Sequence, residues 1–193
     1  MIESRLKKTL HTAGDAPDFD VDRAGDLVDV AYSGVDTPFG RYVVAATPRG
    51  LVRLAFASDD EDAVLDDLSR RISPRLLHAP AKLDPVRREL DEYFEGKRRN
   101  FETSLDWTLV RGFNLKVLRA TARIPYGAVS TYKDMARSAG SPAAARAAGN
   151  ALHNNPIPIV VPCHRVLHSG GGMGGYGGGL EMKERLLKLE GAI

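Results

Sequence analysis

Two turn sequences in the first half of the chain restrict its fold more than any other feature. Thr37-Pro38-Phe39-Gly40 and Thr47-Pro48-Arg49-Gly50 each combine proline with glycine, as tight turns do. They divide residues 27–57 into three short runs that are rich in β-forming residues. Short runs joined by such short turns predict an antiparallel meander.

Helices are expected to follow this meander. Asp59 is placed to cap a helix that ends at Arg71, because acidic residues occupy its first turn and arginines its last. A second helix is expected from Asp84-Pro85 to Gly96, since proline suits a first helical turn and glycine an exit. We therefore predict an α/β domain over residues 26–108, preceded by a polar lead-in at residues 1–25.

The charge of the chain changes sign near Phe113. Residues 1–110 carry 16 Lys and Arg against 21 Asp and Glu, whereas residues 111–193 carry 11 against 4. A basic half beside an acidic half points to a polyanion, such as nucleic acid, as partner of the C-terminal part.

The cysteine count and the hydropathy exclude several classes of protein. A single cysteine in 193 residues excludes an internal disulfide and a zinc site built from several thiolates, so no metal is expected. No apolar run approaches the ~18 residues of a membrane span, and the N-terminal residues lack the apolar core of a secretion signal. We expect a cytoplasmic protein without a membrane partner.

The second half has the pattern of a mainly helical domain over residues 109–193. Helices are predicted at residues 113–124, 131–138, 141–152 and 180–190. The second and third are separated by a turn at Gly140 and form a helix-turn-helix, an arrangement that binds DNA. The third is nearly all Ala and Gly around Arg146, which suits close approach to a ligand better than it suits a packed core.

The cysteine of the chain lies in Pro162-Cys163-His164-Arg165-Val166, after an apolar run at residues 157–161 that we expect to be extended and buried. A free thiol is only a few per cent ionised near neutral pH, so a reactive cysteine needs a base or a cation beside it. His164 and Arg165 offer both.

The residues alone leave other interpretations of Cys163 open. Free cysteines are often buried and inert, and a cysteine hydrolase would use a distant histidine such as His153 or His168. A metal site of Cys163, His164 and His168 has one thiolate and unconvincing spacing. The glycine run at residues 170–179 contains a formal G-x-G-x-x-G, but no βαβ unit or ribose-binding acid follows it, so it is interpreted as a loop against a flat ligand.

Together these motifs resemble the O6-alkylguanine-DNA alkyltransferase family, the methylated-DNA–protein-cysteine methyltransferases. The resemblance is specific from Phe113 to Gly191, whereas the first half is similar only in pattern to the ribonuclease-H-like domain of that family. It rests on Ile124-Pro125-Tyr126-Gly127, Tyr132, Ala144-Ala145-Arg146-Ala147-Ala148-Gly149, Asn155-Pro156, Pro162-Cys163-His164-Arg165-Val166, Gly175-Tyr176-Gly177-Gly178-Gly179-Leu180 and Lys183-Glu184.

The resemblance implies a single-turnover repair enzyme that needs no cofactor. It would transfer the alkyl group of O6-alkylguanine, and of O4-alkylthymine, to its own Cys163, irreversibly and stoichiometrically. Glu190 would orient His164, which would deprotonate Cys163 through a water molecule, while Asn155 would brace the loop. Tyr132 would help to neutralise the leaving guanine.

The resemblance also implies how DNA would bind. The helix-turn-helix would enter the minor groove of double-stranded DNA and rotate the damaged nucleotide out of the stack, with Arg146 in the vacated place. Further expected contacts to DNA or to the base are Ala147, Gly149, Asn150, Pro158, Val166, Tyr176 and Gly177. Some relatives carry a larger polar residue where this chain has Gly177, which suggests a roomier pocket. A monomer is expected, with cooperative assembly on DNA left open.

Two other functions remain at this point. A non-enzymatic sensor of alkylated DNA would lack the reactive cysteine, which this chain retains. A transcription regulator would read the major groove with long polar side chains, and the Ala-rich second helix offers few of them.

Overall fold

The computed structural model describes residues 28–193, so the predicted lead-in at residues 1–25 lies outside the described residues. In chain order the elements are β1 (Val30–Thr37), β2 (Gly40–Thr47), β3 (Gly50–Ala55), α1 (Glu61–Arg71), β4 (Leu76–His78), α2 (Pro80–Phe94), α3 (Gly112–Thr121), β5 (Ser130–Thr131), α4 (Tyr132–Ser138), α5 (Ala145–His153), a 3-10 turn (Cys163–Arg165), β6 (Val166–Leu167) and α6 (Leu180–Leu189). Within this part of the chain, no helix is both long and apolar enough to cross a membrane.

The first half forms the predicted meander, with one strand added. β1 pairs antiparallel with β2, and β2 pairs antiparallel with β3. Gly40 and Gly50 begin the second and third strands with φ of 100° and 133°, values that favour glycine. The sheet order is β3-β2-β1-β4, and β4 is parallel to β1. The sheet is therefore mixed, whereas a purely antiparallel sheet was expected. The mixed fold class, with a sheet domain followed by a mainly helical part, is confirmed.

Both faces of the sheet are covered. Alternating side chains along a strand point to opposite faces, so neighbours such as Val43 and Val44 belong to different cores. On one face α1 packs through Val64 and Leu68. On the other face, a larger core continues from the sheet through α2 into the helices of the second half, including Leu186. The two halves of the chain therefore share one hydrophobic core.

Two predicted helix starts in the first half are wrong. The side chain that caps α1 is that of Asp60, which accepts a hydrogen bond from the backbone of Asp62, whereas Asp59 accepts one from the N–H of Phe56. α2 begins at Pro80 rather than at Asp84-Pro85. The earlier start buries Leu83 together with the rest of the apolar stripe, and Pro85 lies inside the helix on its exposed side, where it has no N–H to donate to the preceding turn.

The helix-turn-helix of the second half forms, with changed boundaries. Thr131 caps α4 by accepting from the N–H of Asp134 at 3.1 Å and donating its hydroxyl to the Asp134 carboxylate at 2.6 Å. α3 ends at Thr121 instead of residue 124. α5 begins at Ala145 instead of Ser141-Pro142, because Ser141 to Ala144 form a separate turn closed by the hydrogen bond between these two residues.

The apolar run before the cysteine is buried but not extended, contrary to expectation. It turns back on itself, with the N–H of Val161 donating to the carbonyl of Ile157 and that of Val160 to the carbonyl of Pro158, both at 2.9 Å. Ile159 adopts a φ of 73°, a left-handed conformation that is strained for a β-branched residue. Only Val161 is held extended by the proline that follows it.

Candidate active site

Cys163 begins the 3-10 turn after this folded-back segment and is 8% exposed. Its N–H donates to the carbonyl of Val161 at 2.8 Å. The side-chain amide of Asn155 donates to the same carbonyl at 2.8 Å and lies 3.2 Å from the Cys163 sulfur. The amide oxygen of Asn155 also accepts the N–H of Ile157. One asparagine therefore links the strained turn to the thiol.

The surroundings of Cys163 have opposing effects on its ionisation. Burial raises the pKa of the thiol, whereas the hydrogen bond from Asn155 and the positive charge of Lys183 lower it. Burial is the larger effect, so the pKa lies above its ordinary value. The thiol therefore needs a base to become a nucleophile.

His164 is fully buried next to the cysteine and contacts Glu190 from the end of α6. Its Nε2 lies 2.9 Å from Oε1 of Glu190. Burial would raise the pKa of Glu190, but hydrogen bonds from His164, Arg165 and Tyr93 outweigh burial and hold that pKa at about 2. The carboxylate is thus ionised and can only accept, so Nε2 of His164 must carry a proton.

The second nitrogen of the His164 ring is then the basic one. Burial lowers the pKa of His164, and together with the positive charges of Arg165 and Lys183 it outweighs the raising effect of Glu190, so the ring is neutral near pH 7. A neutral imidazole that is protonated on Nε2 has its lone pair on Nδ1. Nδ1 is buried and has no hydrogen-bond partner among the described residues. The arrangement provides an oriented base next to the thiol.

Glu190 has two further partners that were not predicted from the sequence. Arg165 donates Nε to Oε2 at 2.8 Å and Nη2 to Oε1 at 2.9 Å. The hydroxyl of Tyr93, on α2 of the first half, donates to Oε1 at 2.6 Å. A buried tyrosine hydroxyl needs a hydrogen-bond partner, and this need is the signal that could have found Tyr93.

Lys183 is a further buried polar group at the site. It is fully buried on α6, and its ammonium donates to the carbonyl of Val166 at 2.7 Å and to that of Met173. Burial lowers its pKa to about 8, against the opposite effect of Cys163. Its spacing from Leu186 and Leu187 puts it on the buried helix face, which the sequence pattern shows in retrospect.

A cavity of about 460 Å³ opens at Cys163, and we call it the thiol pocket. It brings together residues of the helix-turn-helix, the cysteine turn and the glycine run. Its lining consists of Tyr132, Ala145, Arg146, Gly149, Asn150, Leu152, His153, Cys163, His168, Gly175, Tyr176 and Gly177. Arg146 and Asn150 are exposed at its mouth on α5, so a ligand in the pocket would pass between them and Tyr132.

Some residues expected at the pocket lie elsewhere. Ala147 is exposed on α5 outside the lining, and Pro158 lines a neighbouring cavity that also touches Gly177. Val166 is fully buried, with its carbonyl oxygen bound to Lys183. The carbonyl of Cys163 accepts the N–H of Val166. Each carbonyl oxygen still has a second lone pair for a ligand.

The glycine run packs against an aromatic residue that sequence analysis did not select, Phe56. The rings of Phe56 and Tyr176 meet edge to face at 5.6 Å, and the buried hydroxyl of Tyr176 has no hydrogen-bond partner among the described residues. A Cβ at position 177 would lie 2.9 Å from Cε2 of Phe56. The space left by Gly177 is therefore taken up in part by Phe56, which weakens the argument for a roomier pocket.

Metal binding finds no further support in the described part of the chain. Across residues 28–193 no group of three or more His, Cys, Asp or Glu side chains is arranged to hold an ion.

Comparison with protein families gives two matches, one for each half of the chain. The model of the 6-O-methylguanine DNA methyltransferase ribonuclease-like domain matches residues 30–107. The model of the 6-O-methylguanine DNA methyltransferase DNA-binding domain matches residues 112–192.

Individual relatives agree with these models over most of their length. The inducible methylated-DNA–protein-cysteine methyltransferase of Bacillus subtilis is 39% identical over 150 residues, which cover 77% of this chain and 83% of the relative. The methylated-DNA–protein-cysteine methyltransferase of Methanosarcina barkeri is 37% identical, with coverage of 82% and 96%. The crystal structure of Mycobacterium tuberculosis OGT in complex with DNA is similar with a TM-score of 0.72 and 34% identity, and the match covers 84% of this chain and 93% of that one.

Proposed function

Because the chain belongs to the methylated-DNA–protein-cysteine methyltransferase family, we propose that its Cys163 is the acceptor of the alkyl group from O6-alkylguanine in double-stranded DNA. The chain is a DNA-repair enzyme that acts by alkyl transfer. Family membership does not by itself assign the acceptor residue. Nor does it assign the roles of the side chains around it or the single use of each molecule, which are proposed below.

The hydrogen bond between Glu190 and His164 carries the proposal. It leaves the lone pair of His164 on Nδ1, and a water molecule between Nδ1 and the thiol passes the proton of Cys163 to the imidazole. The imidazolium so formed is stabilised by the ionised Glu190. Asn155 holds the sulfur through its amide while the proton leaves.

The transfer is a single in-line displacement. The thiolate sulfur forms a bond to the alkyl carbon while the bond between that carbon and O6 of guanine breaks, and the electron pair stays on the guanine. The hydroxyl of Tyr132, which lines the thiol pocket, donates a hydrogen bond to the guanine as this negative charge develops. The thioether on Cys163 is not hydrolysed, so each molecule reacts once and needs no cofactor.

The damaged base reaches Cys163 by leaving the stack. α5 enters the minor groove, where the small side chains of Ala147 and Gly149 permit close approach and Asn150 contacts the backbone. Extrusion costs about a few kcal/mol, which contacts to the extruded base offset, and Arg146 occupies the vacated place. The free carbonyl lone pairs of Cys163 and Val166 accept the guanine amino group. Tyr176 and Gly177 bound the alkyl group, with Pro158 beyond Gly177 in the neighbouring cavity, and O4-alkylthymine reacts in the same pocket.

Intact-mass spectrometry tests the proposal directly. The protein is mixed with excess duplex that contains one O6-methylguanine, and its mass is expected to rise by one methyl group per molecule and no further. Cys163→Ser is expected to gain nothing, because a serine hydroxyl is far less acidic than a thiol and is a much weaker nucleophile toward an alkyl carbon. A wild-type protein without the gain, or a Cys163→Ser protein with it, would refute the assignment.

A further inference from the structure

A second cavity of about 550 Å³ lies beside the thiol pocket, where the two halves of the chain meet, and we call it the junction groove. His153 and Gly177 belong to the lining of both cavities. The polar residues of its lining that bear on a ligand are Arg53, Arg71, Arg111, Asn114, His153 and Asn154. The groove therefore continues the thiol pocket as a surface rich in cations and amides.

One backbone hydrogen bond joins the two halves of the chain beside the groove. The N–H of Leu54, on the edge strand β3, donates to the carbonyl of Pro156 at 2.8 Å. This bond holds the first half against the segment that leads to Cys163, and so it brings Arg53 alongside Asn154. The acidic first half thus contributes two arginines, Arg53 and Arg71, to a surface next to the active site.

The arginines are not fully used by the protein. Arg71 contacts Asp67 and the carbonyl of Leu109, but the buried Nε of Arg53 has no hydrogen-bond partner among residues 28–193. A buried N–H without a partner is unfavourable, and an acceptor in the groove would satisfy it. Arg111 is exposed.

The lining of the groove carries little negative charge to offset its arginines. The single carboxylate of its lining is that of Asp59, and this group already accepts the N–H of Phe56 at 2.9 Å. Guanidinium groups pair with phosphate oxygens through two parallel hydrogen bonds. Arg53 and Arg111 both supply a guanidinium group to the lining of the groove. The chemistry of the groove fits a phosphodiester.

We propose that the junction groove binds the sugar-phosphate backbone of the DNA that flanks the extruded nucleotide, so that the first half takes part in DNA binding. This inference rests on the proposed function, since it requires DNA in the thiol pocket. Arg146 and His153 lie at opposite ends of α5, about 10 Å apart along the helix axis. The groove therefore adjoins the end of α5 that lies away from Arg146.

The salt dependence of DNA binding tests the groove. The affinity for a duplex with one O6-methylguanine is measured at several salt concentrations for wild type and for the double variant Arg53→Gln/Arg111→Gln. Each phosphate contact contributes about 0.9 to the slope of log affinity against log salt, so the slope is expected to fall by about 2. The affinity itself is expected to fall about tenfold or more at low salt.

Arg88→Gln is the matched control, because Arg88 is exposed on α2 outside the groove and its loss changes the net charge in the same sense. Its slope is expected to equal that of wild type, and Arg53→Lys/Arg111→Lys is expected to restore most of the slope. A double Gln variant with the wild-type slope, or a Lys variant without restoration, would overturn the proposal. Thermal melts verify that every variant is folded. The salt slope tests the groove alone. The proposed function is tested separately, by the gain of one methyl group in the wild-type protein.

Discussion

Glu190 and the acidic residues of α1 bind arginine in similar ways but in opposite surroundings. Arg165 lies 2.8 Å from the Glu190 carboxylate, and Arg71 lies 3.2 Å from that of Asp67. The first pair has side chains that are 7% and 0% exposed, whereas the second pair is 47% and 36% exposed. Similar contacts therefore differ in their consequences, because water screens one pair and not the other.

The two ion pairs also differ in what they do for the protein. Burying two charges costs desolvation energy that their attraction often fails to recover, so the pair of Arg165 and Glu190 is weak evidence of a contribution to stability. It does hold an ionised acceptor against His164 and so determines which ring nitrogen is basic. The pairs on α1 orient no reactive group.

Glu190→Gln should have the largest effect after loss of the thiol itself. The amide no longer accepts from all its neighbours, so Arg165 keeps an uncompensated buried charge and His164 loses its fixed tautomer. We expect alkyl transfer to slow by more than a hundredfold, measured by single-turnover transfer from methylated duplex. The control is Glu89→Gln, since Glu89 is also buried but bonds to the backbone of Glu102, away from the site. Equal transfer rates in the two variants would refute the role of Glu190.

The same variant should change the acid limb of stability. The pKa of Glu190 is about 2 in the folded protein and about 4.5 when unfolded, so its ionised form stabilises the fold above pH 4.5. This contribution, about 3 kcal/mol, is lost as the pH falls from 4.5 to 2. The gap in unfolding free energy between wild type and Glu190→Gln should therefore narrow over this range in denaturant titrations. A gap that stays constant would contradict the depressed pKa.

Tyr93→Phe sharpens the comparison by removing one donor and no charge. The loss of the hydroxyl leaves Oε1 of Glu190 with fewer hydrogen bonds, so the carboxylate orients His164 less firmly. We expect transfer to slow about three- to tenfold and the acid limb of stability to move to higher pH. Tyr42→Phe is the matched control, because Tyr42 is equally buried but donates to the sulfur of Met182. If both variants lost the same activity, Tyr93 would be a packing residue only.

Asp66→Asn should have the smallest effect. Asp66 pairs with Arg70 one helical turn away on the exposed face of α1, and such pairs contribute little in water. The thermal midpoint is expected to change by less than about 2 °C, and alkyl transfer should be unchanged. A loss of stability as large as that of Glu190→Gln would show that exposure does not separate the two kinds of pair.

Local chemistry explains what the sequence predicted well. The proline-glycine turns and the Thr131 cap depend on residues next to each other, so the meander and α4 follow from the sequence. Cys163 and His164 stand out in the sequence as a lone thiol beside a base, whereas the roles of Asn155 and Glu190 came from a resemblance rather than from any local pattern. The structure brings these four side chains together, while the role of each stays a prediction.

Long-range contacts explain what the sequence did not predict. Tyr93 reaches Glu190 across 97 positions, and no local pattern encodes that contact. The segment at residues 157–162 has an apolar composition that suits a strand, but the backbone bonds among its own residues fold it back. Pro85 suggested a helix start, yet the burial of Leu83 extends α2 before it.

The left-handed Ile159 has a consequence for how the thiol pocket adjusts to its contents. Ile159 is fully buried and its turn is closed by hydrogen bonds, so the wall that carries Cys163 has one shape and yields only if the core opens. The glycine run contributes two residues to the same pocket, Gly175 with open space around it and Gly177 beside the ring of Phe56. A ligand that enters the pocket therefore has to fit the position of the thiol, because the wall that carries Cys163 does not move to meet it.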